Sequence, residues 1–219
     1  FITKSSAAAA AFMIVPRYVL GGPGYTAPSD KINIAAIGVG GKGRSDIAAV
    51  ATENIVALCD VDDVKMFDTI KRAGEWAEEK GLSENPLTKV PRYKDFREML
   101  DKQKDIDAVT VSTPDHFHAV AAITAIKQGK HAFVQKPLTY SVDEAQKLSA
   151  AAKKAGVVTQ MGNQGHAGEG IRLIGEWLKD DAIGEVREVH CWTNRPIWDT
   201  GMNRPSEIPS VPPTLDWNQ

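Results

Sequence analysis

The feature that most constrains the fold is a glycine cluster, residues 38–43, which directly follows a short apolar run, residues 32–37. Glycine loses more backbone freedom on folding than any other residue, so such a cluster is expected where the chain turns sharply or is approached closely. The apolar run is typical of a strand buried on both faces, and residues 42–51 carry apolar side chains at helical spacing. Strand, glycine loop and helix in this order predict the first unit of a doubly wound α/β fold.

Strand-like and helix-like segments alternate along the rest of the chain. Ser141 and Glu144 form the pattern of a capping box, which marks the start of one helix. The alternation predicts a parallel sheet with helices on both faces, joined by right-handed crossovers. The expected strands are residues 54–58, a short one near 90, 106–112, 131–135, 157–161 and 185–193, and the expected helices are residues 61–80, 95–100, 115–128, 141–155 and 169–178.

This pattern divides the main part of the chain into two units. Residues 31–162 are predicted to form a Rossmann-like doubly wound parallel sheet. Residues 163–219 offer one helix and one strand before a proline-rich tail, in which regular structure is not expected. We therefore expect residues 163–219 to be the start of a truncated second α/β domain.

The first thirty residues, 1–30, resemble an export signal. Lys4 is followed by an apolar stretch, residues 7–15, and then by proline, glycine and small residues, which is typical of a secretory leader. The stretch is too short to span a bilayer, which takes ~20 apolar residues. Because "FITK" resembles the end of a twin-arginine motif, we expect an incomplete leader and a periplasmic protein. A poorly ordered arm on a cytoplasmic protein is the alternative.

Charge and cysteine content exclude some partners and sites. A net charge of −2 and an isoelectric point near 6.2 leave no basic field, so nucleic acid is not an expected partner. Cys59 and Cys191 lie far apart and lack the spacing of metal ligands. We therefore predict idle thiols and no metal site.

The glycine cluster satisfies the pattern G-x-G-x-x-G and predicts a phosphate-binding loop. Gly38 would make the tight turn, Gly40 would let a pyrophosphate approach the backbone, and Gly43 would let the helix pack on the strand. Gly41 and Lys42 complete the loop, whose free amides at the helix start would face an anion. The alternative is a plain tight turn.

Asp60 lies at the end of the second predicted strand and is the expected ribose-binding acid. A carboxylate there accepts hydrogen bonds from the ribose hydroxyls and repels a 2′-phosphate, which favours NAD over NADP. The nearby cations Arg44 and Lys42 could soften this preference, so NADP remains a second possible cofactor. A surface aspartate is the alternative.

The segment "STPDHFHA" follows the strand that ends at Ser112. Loops at the carboxyl ends of parallel strands line the ligand crevice, so Ser112, Thr113 and Pro114 are expected to pass under the cofactor. His116 and His118 are two residues apart and are expected to point in different directions. Either one could reach the ligand, and a solvated or capping histidine is an equally weighted alternative.

Lys136 follows the strand at residues 131–135 and precedes a proline. A lysine at a strand's carboxyl end, in a closed cleft, is partly desolvated and suited to take a proton from a substrate hydroxyl. The alternative is a surface lysine at a turn.

Taken together, these segments resemble the Gfo/Idh/MocA family (glucose–fructose oxidoreductase and inositol dehydrogenase-like) of NAD(P)-dependent oxidoreductases. The matching stretches are "AAIGVGGKGRSD", "CDVD", "STPDHFHA", "VQKPLT" and "TQMGNQGH". "GEVREVHCWTNRPIW" looks like the opening of the second domain in secreted, sugar-related members. The resemblance implies that Asn163 sits beside the nicotinamide, that Gln135 contacts the cofactor, and that Lys136 is catalytic.

The resemblance also implies hydride transfer between a sugar or polyol carbon and the nicotinamide, in a homo-oligomer paired through its second domain. Two departures matter. Gln135 replaces the family's usual glutamate and brings no negative charge. After Asn163 nothing matches the family's Asp-x-x-x-His motif, which leaves only His166 and His190 as candidates, so this piece is expected to be inactive by itself. A glycosidase or lyase that oxidises a sugar carbon transiently, and a non-catalytic NAD-binding module, are the alternatives.

Overall fold

The computed structural model describes residues 26–79, 81–82, 84–194, 201, 203–204 and 206–218, and within them six strands form one parallel sheet of order β3-β2-β1-β4-β5-β6. Strand order reverses between β1 and β4, which makes the switch point of a doubly wound sheet. The predicted Rossmann-like fold is confirmed. The strands are β1 Asn33–Ile37, β2 Asn54–Cys59, β3 Arg92–Tyr93, β4 Ala108–Val111, β5 His131–Gln135 and β6 Thr159–Gly162.

Helices cover both faces of this sheet. One core cluster joins the sheet to the third, fourth and fifth helices, and the other joins it to the first and second helices. The helices are α1 Lys42–Ala49, α2 Asp63–Glu79, α3 Phe96–Lys102, α4 His118–Lys127, α5 Val142–Ala155 and α6 Glu169–Lys179.

Strand β1 explains why its sequence is a continuous apolar run rather than an alternating one. Ala35 and Ile37 belong to the core cluster on one face, and Ala36 belongs to the cluster on the other. A parallel strand in the centre of such a fold is buried on both sides, so every position of β1 after the partly buried Asn33 is apolar.

Helix ends follow local chemistry closely. The Ser141 hydroxyl accepts the Glu144 amide at 3.3 Å, while the Glu144 carboxylate accepts the Ser141 amide at 3.1 Å. Gly156 ends α5 in a left-handed conformation, with φ of 67°. The capping box and the glycine stop are both confirmed.

The predicted helix over 115–128 is divided in the structure. Residues Asp115–Phe117 form a 3₁₀ turn, and α4 begins only at His118. The turn follows Pro114, whose extended backbone (φ −58°, ψ 148°) precedes it, so α4 starts one turn later than the apolar spacing indicated.

The predicted strand at residues 185–193 is wrong for this structure, in which those residues are irregular. Val189 and Trp192 are 77% and 87% exposed. A strand is stable only when its backbone groups pair with a neighbouring strand, and none of the six described strands forms a ladder with residues 185–193. Helix α6 likewise has no buried residue, so the division into domains at residue 163 stays a prediction.

Three further expectations concern the predicted leader, membrane-spanning segments and the cysteine thiols. The predicted leader lies mostly outside the described residues. Within the described part of the chain, no helix is both long and apolar enough to cross a membrane. Cys59 is buried at the end of β2, and this burial, with Asp60 beside it, raises the pKa of the Cys59 thiol to about 12. Cys191 is exposed, and the idleness of both thiols stays a prediction.

Candidate dinucleotide-binding site

The glycine loop is shaped by two close backbone approaches. Gly38 has a φ of +80°, and a Cβ placed on it would lie 2.8 Å from the backbone carbon and oxygen of Ser112. A Cβ on Gly43 would clash with the Gly38 carbonyl oxygen and lie 2.9 Å from its carbon. The tight turn and the close helix packing predicted for these two glycines agree with this geometry.

The middle of the loop is open on the side that faces the crevice. Nothing described lies within 4 Å of a Cβ placed on Gly41, and α1 begins after Gly41 without a side-chain cap among the described residues. Uncapped amides at a helix start attract anions. Gly40 faces Lys65, whose Cβ would lie 3.0 Å from a Cβ on Gly40, so the aliphatic part of a lysine that sequence analysis missed packs against the loop.

Asp60 lies beside the glycine loop at the end of β2. Its Oδ2 accepts the amides of Val39 at 2.8 Å and Gly40 at 3.3 Å, and its Oδ1 accepts the amide of Asp62 at 3.0 Å. The carboxylate therefore holds the loop in shape, a role that sequence analysis did not anticipate. Contact of Asp60 with a ribose stays a prediction.

The two cations expected to modify cofactor preference are already paired. Arg44 forms an ion pair with Asp68 and reaches Thr69, both on α2, while Lys42 pairs with Asp46 on its own helix. The hydrogen bond from Arg72, reinforced by Arg44, holds the pKa of Asp68 below its usual range. Arg44 therefore faces α2 rather than the crevice.

The loop after β4 packs against the glycine loop at Gly38, and the expected passage of Ser112, Thr113 and Pro114 under the cofactor stays a prediction. The Ser112 hydroxyl donates to Asp46 Oδ2 at 2.8 Å, and Pro114 leads into the 3₁₀ turn. Thr113 Oγ1 is buried and has no hydrogen-bond partner among the described residues. A buried polar atom without a partner is costly, which favours a polar ligand group at this position.

His116 and His118 point in different directions, as predicted. His116 is exposed on the 3₁₀ turn, whereas His118 is 1% exposed. His118 Nδ1 lies 2.7 Å from the Pro137 carbonyl oxygen, and Nε2 lies 2.9 Å from the Thr113 carbonyl oxygen. This geometry favours a structural role for His118, in which it ties two loops together, over the predicted cofactor contact.

Gln135, itself buried, lies in a polar cluster that joins α1, the loop after β4, the end of β5 and the turn after β6 at the carboxyl edge of the sheet. Gln135 Nε2 donates to Asp46 Oδ2 at 2.9 Å. With its amide oriented to satisfy its neighbours, Gln164 accepts from Gln135 Nε2 at 2.8 Å and from Lys42 Nζ at 3.2 Å. We call these residues the polar cluster: Lys42, Asp46, Ser112, Gln135 and Gln164.

Lys136 and Asn163 lie at the same sheet edge, at the ends of β5 and β6. Lys136 is exposed, which agrees with the alternative of a surface lysine and not with the expected desolvation in a closed cleft. The peptide bond between Lys136 and Pro137 is cis. Asn163 caps the short turn Gln164–Ala167, which carries His166. His190, the other remaining histidine candidate, is exposed, and its Nε2 lies 3.2 Å from Glu188 Oε2. The cofactor and catalytic roles of Lys136 and Asn163 stay predictions.

Comparison with known proteins shows the family and supports the fold. The family described as "Oxidoreductase family, NAD-binding Rossmann fold" (GFO_IDH_MocA) matches residues 32–163. A "Glycosyl hydrolase family 109 protein" of Solibacter usitatus (strain Ellin6076) is 36% identical over 124 residues, or 55% of this chain and 27% of that protein. The "2,7-anhydro-N-acetylneuraminate hydratase" of Escherichia coli (strain K12) is 31% identical over 105 residues, or 48% of this chain and 28% of that protein.

A solved structure shares the architecture. The scyllo-inositol dehydrogenase of Lactobacillus casei with bound cofactor NAD(H) and scyllo-inositol aligns with a TM-score of 0.56 and 21% identity, over 71% of this chain and 43% of that one. At this identity the similarity supports the fold alone. The chain spans less than half the length of these three proteins.

Proposed function

Since the chain belongs to the GFO_IDH_MocA oxidoreductase family and carries its NAD-binding Rossmann fold, we propose that the protein is an NAD-dependent oxidoreductase acting on a sugar or polyol. The observation that carries the proposal is the cradle at the switch point. It combines an uncapped helix start after Gly41, the acid Asp60 and the unpartnered Thr113 hydroxyl. These are the groups that a dinucleotide needs at one edge of such a sheet.

The described residues fit the cofactor in three places. The amides after Gly41 would hold the diphosphate, and Asp60 would accept the adenosine ribose hydroxyls with the lone pairs that the loop leaves free. Thr113 Oγ1 would donate to a polar group of the cofactor near the diphosphate, which satisfies its buried hydroxyl.

In the reaction, NAD when bound accepts a hydride from the carbon that bears the substrate hydroxyl. Lys136 would take the hydroxyl proton as that carbon–hydrogen bond breaks, and the substrate becomes a ketone. Its position after β5, exposed at the crevice edge, lets the ammonium formed in this step return the proton to water.

The substrate class is supported by a relative whose name carries a sugar derivative, the 2,7-anhydro-N-acetylneuraminate hydratase of E. coli. A second candidate is a glycosidase or lyase that oxidises a sugar carbon transiently and returns the hydride afterwards. The relative of S. usitatus, named as a glycosyl hydrolase, favours this candidate. A non-catalytic NAD-binding module is the third.

One experiment separates these candidates. The protein that carries this chain is incubated with NAD and either a polyol such as myo-inositol or p-nitrophenyl glycosides, and both NADH absorbance and nitrophenol release are followed. Net NADH accumulation supports the dehydrogenase, and nitrophenol release without net NADH supports transient oxidation. NAD binding without either signal supports the binding module, and no NAD binding overturns the proposal.

We also propose that the protein is exported to the periplasm and assembles as a homo-oligomer. The basic and apolar pattern of residues 1–30 supports export. Fractionation of cells that express the natural gene tests the location, and native mass spectrometry of the purified protein tests the assembly. A cytoplasmic monomer contradicts both proposals.

A further inference from the structure

We propose that Asp46 is a positioning residue for the nicotinamide half of the cofactor site. Its buried carboxylate supplies, from α1, the negative charge that Gln135 does not carry, and it fixes the orientation of the Gln135 amide beside Lys136. This inference rests on the proposed function, because it assigns a role within the same crevice.

Asp46 is unusual among the acidic residues described, because it is only 6% exposed and lies on the buried face of α1, beside Ile47. Its Oδ1 pairs with Lys42, and its Oδ2 accepts from Ser112 at 2.8 Å and from Gln135 at 2.9 Å. A buried carboxylate is tolerated only when donors surround it. Here the donors come from α1, from the loop after β4 and from the end of β5.

The carboxylate determines which way the Gln135 amide points. An ionised carboxylate only accepts hydrogen bonds, so the Gln135 atom that faces Asp46 must be Nε2. Oε1 is thereby turned toward the backbone amide of Lys136, 3.4 Å away. The reversed amide would bring two oxygen atoms together and lose the bond to Asp46.

Gln164 and Gly162 close the arrangement from the β6 side. Gln164 accepts the remaining Gln135 N–H at 2.8 Å and the Lys42 ammonium at 3.2 Å. A Cβ on Gly162 would lie 2.8 Å from the Gln135 amide carbon and nitrogen, so only glycine lets the amide sit there. The 4% exposed Gln135 side chain is therefore held from three directions.

The polar cluster lies in the half of the crevice that the nicotinamide would occupy. A dinucleotide crosses a doubly wound sheet at the switch point, with one nucleotide over each half. Asp60 and the glycine loop stand over β1 and β2, whereas Ser112, Gln135 and Gln164 follow β4, β5 and β6. Disturbing the Asp46–Gln135 bond should therefore affect the nicotinamide end and spare the adenosine end.

The test uses two probes, NADH and ADP-ribose. Both contain the adenosine and the diphosphate, but only NADH carries a nicotinamide ring. Their Kd values are measured by calorimetry on the wild-type chain and on Asp46→Asn, Gln135→Glu and the double variant Asp46→Asn/Gln135→Glu. Asp101→Asn is the control, because it makes the same change at an exposed carboxylate on α3.

Each single variant is expected to weaken NADH binding by roughly tenfold, the scale found when a supporting hydrogen-bond partner is removed, with little change for ADP-ribose. Gln135→Glu places two carboxylates in contact, whereas the double variant again sets one carboxylate against one amide and should recover most of the NADH affinity. If Asp46→Asn does not fold, the double variant carries the test, because the proposal requires it to fold and bind.

Three results would overturn the inference. The first is an equal loss of affinity for NADH and ADP-ribose, which indicates a structural role only, and the second is single variants whose Kd values match those of Asp101→Asn. The third is a double variant that binds NADH no better than the weaker-binding single variant. A wild-type chain that binds neither probe overturns the proposed function as well. A wild-type chain that binds both, with variants that show one of these three results, overturns the inference alone.

Discussion

The two halves of the crevice are built by different means. Over β1 and β2, backbone geometry and one acid shape the site: Gly38 and Gly43 allow close approach, and Asp60 holds the loop amides. Over β4 to β6, side chains form the site through the polar cluster, with Asp46 and Gln135 separated by 89 positions in the chain. The first half is a local device, and the second depends on the tertiary fold.

This difference has a functional consequence. A loop shaped by glycines binds the constant part of a dinucleotide, its diphosphate, and tolerates few substitutions because a Cβ has no room. A hydrogen-bonded cluster can exchange its charged and amide members while the backbone stays in place, which suits the half of the site where chemistry differs among relatives.

The largest expected difference between the two halves of the crevice comes from Lys136→Met in the protein that carries this chain. Removing the proton acceptor should lower turnover by roughly 100- to 10,000-fold, the usual scale for general acid–base groups, and leave NAD affinity nearly unchanged. Steady-state kinetics and calorimetry measure the two quantities, and Lys147→Met, at an exposed lysine on α5, is the control. Turnover at the wild-type rate would remove Lys136 from the mechanism.

Gly43→Ala should disrupt the half of the crevice that the glycine loop forms over β1 and β2. The added methyl group would clash with the Gly38 carbonyl oxygen, so we expect a loss of about 3 kcal/mol in the free energy of unfolding, the upper end of the usual range. Chemical denaturation measures this loss.

Gly74→Ala is the matched control. Gly74 lies on α2, and the only described atom that its new Cβ would meet is Asn85 Nδ2, at 3.8 Å. Alanine is a better helix former than glycine by about 1 kcal/mol, so this variant should be neutral or slightly more stable. Equal destabilisation by both variants would contradict the close packing inferred at Gly43.

Asp60→Ala tests the acid between the two halves. The variant should bind NAD more weakly, by roughly tenfold for the loss of one charged hydrogen-bond acceptor, and its NAD and NADP affinities should move closer together. Fluorescence titration with NADH and NADPH measures both. Because Asp60 also orders the loop, ADP-ribose should lose affinity as well, in contrast to the Asp46 variants. Unchanged affinities for both cofactors would exclude ribose contact.

The same contrast explains how far sequence alone could go. The strand–glycine–helix order, the position of Asp60 and the capping box at Ser141 are local patterns, and each was predictable. The Asp46–Gln135 bond was not, since no spacing rule links residues on α1 and β5. His118 illustrates the limit as well: the sequence placed it on a crevice loop, but only the fold shows carbonyl oxygens at both ring nitrogens.

The strand expected at residues 185–193 failed for a related reason. Its apolar and polar residues alternate as a strand requires, but alternation specifies only which face is buried and not what the edge pairs with. None of the described strands of the sheet pairs with it, and Val189 and Trp192 remain exposed. Sheet pairing between distant segments is a tertiary property, as the polar cluster is.

The smallest expected effect concerns Lys65, the cation that sequence analysis missed. Its side chain lies across Gly40, close to where the acid Asp60 meets the loop, and it is exposed. Lys65→Ala should weaken NADPH binding more than NADH binding, because a 2′-phosphate adds negative charge on this side. An exposed cation contributes only about 0.5 kcal/mol, and salt screens it, so the difference should vanish at high ionic strength. Lys71→Ala, further along α2, is the control, and identical behaviour of the two variants would show that Lys65 does not reach the cofactor.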